Sequence, residues 1–137
     1  MALNPAGSHL YVKQSSRDPI RLLRFPAAGG QAEEIPIPGD FRLSQNVLAP
    51  TAVDKRGRIL LEVASPNSYY FGTVLLDPSR NIAHHIPLNF DGDVWGPGWT
   101  AGGRIAAFGA QINASLWRYR RTSIASADPT SPKQAFH

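Results

Sequence analysis

A glycine-centred turn that opens into an apolar run occurs three times in this chain, and that recurrence constrains the fold more than any other feature. The copies are Asn4-Pro5-Ala6-Gly7-Ser8 before His9-Leu10-Tyr11-Val12-Lys13, Ala52-Val53-Asp54-Lys55-Arg56-Gly57 before Arg58-Ile59-Leu60-Leu61-Glu62-Val63-Ala64, and Thr100-Ala101-Gly102-Gly103 before Arg104-Ile105-Ala106-Ala107-Phe108. Gly7 and Gly57 are 50 residues apart, and Gly57 and Gly103 are 46 apart. Self-similarity at about 40–50 residues is the period of four-stranded propeller blades, in which each sheet buries its faces against its neighbours.

Composition agrees with many short strands. The 137 residues include 12 Gly and 12 Pro against 42% hydrophobic residues, so apolar runs are short and often interrupted. That pattern favours an all-β chain over one built from long helices. Without cysteine, no disulfide or thiolate metal site is available. The first residues, Met1-Ala2-Leu3-Asn4-Pro5, carry neither a basic nor an apolar targeting region, and no run is long enough to span a bilayer. The expectation is a soluble chain with no membrane partner, whose compartment stays open. The net charge of +4 rests on 14 basic residues, of which Lys13, Lys55 and Lys133 are the lysines. The arginines are scattered except at Arg118, Arg120 and Arg121, and nucleic-acid binding needs a denser basic stripe.

Three segments follow, at about 1–40, 41–90 and 91–121. In the first, strands are expected at His9 to Lys13, Ile20 to Phe25 and Glu34 to Ile37, with Ala27-Ala28-Gly29-Gly30 as a hairpin turn. Pro36 and Pro38 belong on an edge, because neither can donate to a strand ladder. The second follows a linker, Pro38 to Ser44, and has an apolar run at Val47-Leu48-Ala49, strands at Arg58 to Ala64, Phe71 to Leu76 and Ile82 to Leu88, and a turn at Asp77-Pro78-Ser79-Arg80-Asn81. Its Ile86-Pro87-Leu88 echoes Ile35-Pro36-Ile37. The third is entered through Asn89 to Trp95 and continues with Ser115-Leu116-Trp117-Arg118-Tyr119 as a further strand. Residues 122–137 are expected to hold a weak last strand, Thr122 to Ser126, and a disordered tail.

The phrases Asn4 to Val12 and Trp99 to Phe108 resemble the Ser-Pro-Asp-Gly strand core of TolB-like and WD40-like (PD40-type) β-propeller repeats, and Ser115 to Tyr119 resembles the strand that follows it. No copy keeps all four residues of that core. The second, Ala52 to Gly57, looks closer to NHL-type or lactonase-type propellers. The resemblance implies three blades of four-stranded antiparallel sheets, either half of a six-bladed ring closed by a homodimer or the C-terminal part of a larger propeller. It also implies a bacterial sensor, regulator or periplasmic parent. An excised or engineered fragment is a further alternative.

No residues assemble a reaction. His84 and His85 are adjacent on a strand and point to opposite faces, so they cannot share a metal, and one is expected packed and the other solvated. Asp91-Gly92-Asp93 lacks the further oxygen ligands of a calcium loop and reads as a flexible connection. Trp99 and Trp117 are expected between sheets, whereas Tyr69 and Tyr70 lie in a loop. Asn113-Ala114-Ser115 fits the glycosylation triplet. Arg118 and Arg120 share one strand face, where charge discourages edge-to-edge pairing. No serine sits in a nucleophile elbow. No catalytic residue, metal or cofactor is therefore assigned.

In a propeller blade, the loop between the second and third strands and the crossover to the next blade open on one end of the ring. Those segments here offer Arg17, Asp18, Arg42, Tyr69, Tyr70, Asp91, Asp93 and Asn113 as ligand-binding candidates. The expected function is a non-enzymatic module that binds protein or peptide and assembles through its blade faces. The alternative is part of a propeller enzyme, of lyase, lactonase or oligopeptidase-gating type.

Overall fold

The computed structural model describes residues 1–64, 70–111, 115–118 and 133–134, and among these the chain is all-β with antiparallel pairing and no helix. Strands β1 (Ala2–Leu3), β2 (His9–Gln14), β3 (Arg21–Pro26) and β4 (Glu33–Ile35) form one four-stranded meander. A second meander joins β5 (Arg42–Leu43), β6 (Ile59–Ala64), β7 (Phe71–Asp77) and β8 (Ile82–Ile86). Strands β9 (Asp93–Trp99) and β10 (Ile105–Ala110) make a hairpin, and β11 (Trp117–Arg118) pairs with β12 (Lys133–Gln134).

The threefold recurrence is structural. Gly7, Gly57 and Gly103 have φ of 70°, 77° and 74°, a left-handed conformation that side chains with a Cβ adopt reluctantly. Each glycine amide donates to the carbonyl three residues earlier, at 2.9 Å for Asn4, 3.0 Å for Asp54 and 3.0 Å for Thr100. The side-chain oxygen of that same residue then accepts the amide four residues on. Ser8 donates to Asn4 Oδ1 at 2.8 Å, Arg58 to Asp54 Oδ1 at 2.8 Å, and Arg104 to Thr100 Oγ1 at 3.1 Å. Asn, Asp and Thr share the short polar side chain that closes such a turn. In every copy a strand of 6 residues begins two positions after the glycine. The outer strands agree as well, since β4 ends at Ile35 before Pro36 and β8 at Ile86 before Pro87. Proline has no N–H to continue the ladder.

Packing arranges these units around the second sheet. Alternation along β6 sends Ile59, Leu61 and Val63 to one face, opposite Leu76, Val74 and Gly72 of β7. That face joins Ala2, Tyr11, Leu22 and Ile35 of the first sheet in one apolar cluster. The other face carries Leu60, Glu62 and Thr73, which are buried too, and Gly96 of β9 donates to Glu62 Oε2 at 3.1 Å. The second sheet is thus covered on both faces. Its strand β6 reads as the nearly continuous apolar run that such burial demands.

Glu62 interrupts that run. It is 3% exposed, accepts Asn46 Nδ2 at 2.5 Å besides the Gly96 amide, and so holds the strand to the segment before it and to the next hairpin. From the first sheet, Lys13 Nζ donates to Ser44 O at 2.8 Å and Ser44 Oγ at 3.1 Å. Burial holds the Lys13 ammonium below its ordinary value of 10.5, and the Glu62 charge opposes that shift.

Several sequence expectations shift in detail. Arg42–Leu43 is the first strand of the second sheet and lies within the expected linker, Pro38 to Ser44, because it pairs with Val63 and Ala64; in the apolar run that follows, Leu48 is buried and Val47 is 81% exposed. Asn89 to Trp95 is not all connection, because β9 begins at Asp93, which is 5% exposed. Trp117 pairs with Gln134, and among the described residues β10 pairs with β9 alone. Residues 119–132, with Arg120, Arg121 and the expected weak last strand, lie outside the described residues.

Replacing Glu62 by Ala removes the acceptor that the Asn46 amide and the Gly96 N–H share and should lower stability by about 2 kcal/mol. Urea denaturation at one fixed protein concentration measures it. Glu34→Ala removes an exposed pair with Arg21 and is the control, with an expected loss within about 1 kcal/mol.

Candidate functional site

Three of the loop-end candidates line one cavity. Arg17 and Asp18 lie in the connection after β2, Arg42 lies on β5, and all three border a recess of about 600 Å³. Pro19, Ile37 and Phe41 supply apolar wall beside them. Arg21 and Glu34 also line it, but they neutralise each other through an ion pair of 3.1 Å. Neither Arg17 nor Arg42 has an ion pair or hydrogen bond to a side chain among the described residues. Outside the recess, Glu33 holds the Arg24 guanidinium above its ordinary value through a hydrogen bond of 2.5 Å from Arg24 Nη2. The cavity is therefore lined by two arginines whose side chains have no ion pair among the described residues.

The remaining candidates sit elsewhere. Asp93 Oδ1 accepts the Phe71 amide at 2.8 Å, so this buried carboxylate fastens the start of β7 to β9. Tyr70 is 38% exposed and borders a smaller recess of about 150 Å³ with His85, Phe90 and Val94. Asp91 is exposed, and its carbonyl accepts Gln111 Nε2 at 3.4 Å. Tyr69 and Asn113 lie outside the described residues, as does the asparagine of the glycosylation triplet. His84 and His85 are both exposed, which corrects the expectation that one is packed. The His85 ring nonetheless lies over Gly72, where a Cβ would come within 2.9 Å of Nε2. No group of three or more His, Cys, Asp or Glu is placed to hold a metal among the described residues.

An aromatic groove was less legible from the sequence. Trp95, Trp99, Phe108, Asn46 and Val47 line an open recess of about 890 Å³. The Trp95 and Phe108 rings stack with centroids 5.8 Å apart and planes at 24°. They are cross-strand partners on β9 and β10, and a register shift between Ala106 and Phe108 sets that pairing. The Arg58 guanidinium lies 5.4 Å from the Trp99 ring centre and is itself held by Asp54, with Nε to Oδ2 at 2.7 Å. Trp99 thus links β9 to the glycine turn of the preceding unit. Trp117, by contrast, is 45% exposed rather than packed between sheets.

No protein-family model, curated protein or solved structure matches this chain.

Phe108→Ala removes the ring stacked on Trp95 and opens that indole to water. The expected results are a red shift of tryptophan emission and a stability loss of about 1 kcal/mol from the stacking alone, both read in one fluorescence-monitored urea titration.

Proposed function

We propose that the chain is a three-blade β-propeller module, a binding protein rather than an enzyme, which recognises protein or peptide at its loop end and pairs with a second copy to complete a six-bladed ring. The observation that carries this reading is the stacking of repeated units. The same turn and strand recur three times, and the middle sheet is covered on one face by the first sheet and held on the other by β9.

The outermost faces supply the argument for assembly. Register sets Leu3, Leu10, Val12, Leu23 and Phe25 on the face of the first sheet opposite its buried residues, and Leu3 is 50% exposed. On the last hairpin, Ile105 of β10 is 39% exposed, and Phe108 is 64% exposed beside the groove it lines with Asn46 and Val47. Apolar faces of this kind on the two ends of a stack match what successive blades bury against one another. Two copies related by a twofold axis would join each first sheet to the partner's last hairpin, giving two equivalent contacts.

Light scattering at several concentrations tests the assembly. The expected mass is twice 14.9 kDa, and Leu10→Asp should shift the population to monomer. A monomer at every concentration, with the far-ultraviolet signature of a folded β protein, would overturn ring closure by two copies.

A further inference from the structure

We infer that the recess bordered by Arg17 and Arg42 binds a peptide segment through a carboxylate side chain flanked by apolar residues, an inference that rests on the reading of the chain as a peptide-binding module. The two guanidinium groups come from different elements, the connection after β2 and the strand β5, and the fold gives neither of them an acid or acceptor among the described residues. Arginine pairs with planar carboxylates through parallel N–H bonds, and two arginines lining one recess suit an anion better than either would alone. Exposed arginines are commonplace, so the cavity decides the matter. At about 600 Å³ it falls within the range of pockets that enclose a ligand, and Pro19, Ile37 and Phe41 give it apolar wall.

Charge selects the kind of anion. The ionisable lining residues are Arg17, Arg21 and Arg42 against Asp18 and Glu34, a net charge of +1. The Arg21–Glu34 pair cancels internally, which leaves Arg17 and Arg42 against Asp18 in the lining. A single negative charge balances that set. A doubly charged phosphate would exceed it, with Asp18 in the same lining to repel it. The apolar wall calls for a ligand with hydrophobic flanks rather than a bare small acid.

A titration of isotope-labelled protein, followed by NMR at the arginine Nε–H signals, tests this with blocked leucyl-glutamyl-leucine. Its glutamine and phosphoserine counterparts and free acetate serve as comparisons. The glutamate peptide should move the Arg17 and Arg42 signals at millimolar concentrations. Arg17→Met and Arg42→Met should each weaken binding at least fivefold, while Arg80→Met, in the turn after β7, should leave it unchanged. Equal binding of the glutamine peptide, tighter binding of the phosphoserine peptide, or acetate binding as well as the peptide would overturn the inference. So would retained affinity in both arginine variants. A dimer that fails this titration refutes the site and leaves the ring, whereas a monomer that passes refutes the ring and leaves the site.

Discussion

The carboxylate of Glu62 sits in a strand otherwise made of Ile, Leu and Val, and the order of the stack depends on what it holds. Apolar contacts alone would let the second sheet and the β9–β10 hairpin slide past each other, because hydrophobic attraction has no direction. Hydrogen bonds from Asn46 and from the Gly96 amide do have direction. They fix the hairpin in one register against β6. Burying a charge is costly unless its acceptor sites are filled, so the same bonds that orient the hairpin also make the burial tolerable. Lys13 works similarly on the other side, where its ammonium reaches Ser44 from the first sheet.

These ties have consequences at the ends of the strands, where the loops emerge. With the layers held in order, the connection after β2 and the strand β5 meet, and Arg17 and Arg42 border one recess. The turns at the other end have a different character. There Asp54, Arg58 and Trp99 run from one glycine turn to the next strand pair and tie the two together. The turn at one end thus joins successive units, and the loops at the other border a recess. Recognition residues on loops carried by a rigid scaffold follow the same division.

Much of the local structure was readable because it follows from backbone chemistry. A left-handed φ at Gly7, Gly57 and Gly103 needs glycine, and a proline ends a ladder, so the turns and the ends of β4 and β8 were visible as residues. Alternation in the first segment, and apolar runs bounded by turn residues in the second, located β2, β3, β6, β7 and β8 to within about two residues at each end. What remained hidden depended on partners distant in the chain. Val47-Leu48-Ala49 has the composition of a strand, yet the neighbours of β6 are Arg42 and Leu43. Asp93 looked like a loop acid because nothing nearby in sequence reports that the Phe71 amide lacks an acceptor. The loop-end argument could gather Arg17, Asp18 and Arg42 from topology, but it could not separate them from Asp91 or Tyr70, which the packing sends elsewhere.

Native-state hydrogen exchange tests the layered account most directly. If the second sheet is the covered middle of the stack, the amides of Leu60, Leu61, Thr73 and Val74 exchange only on global unfolding and are the slowest in the chain. Those of β10, which pairs with β9 alone among the described residues and has exposed side chains, should open at lower free energy. Protection in β10 equal to that in β6, or early exchange across β6 and β7, would contradict a stack organised around its second sheet.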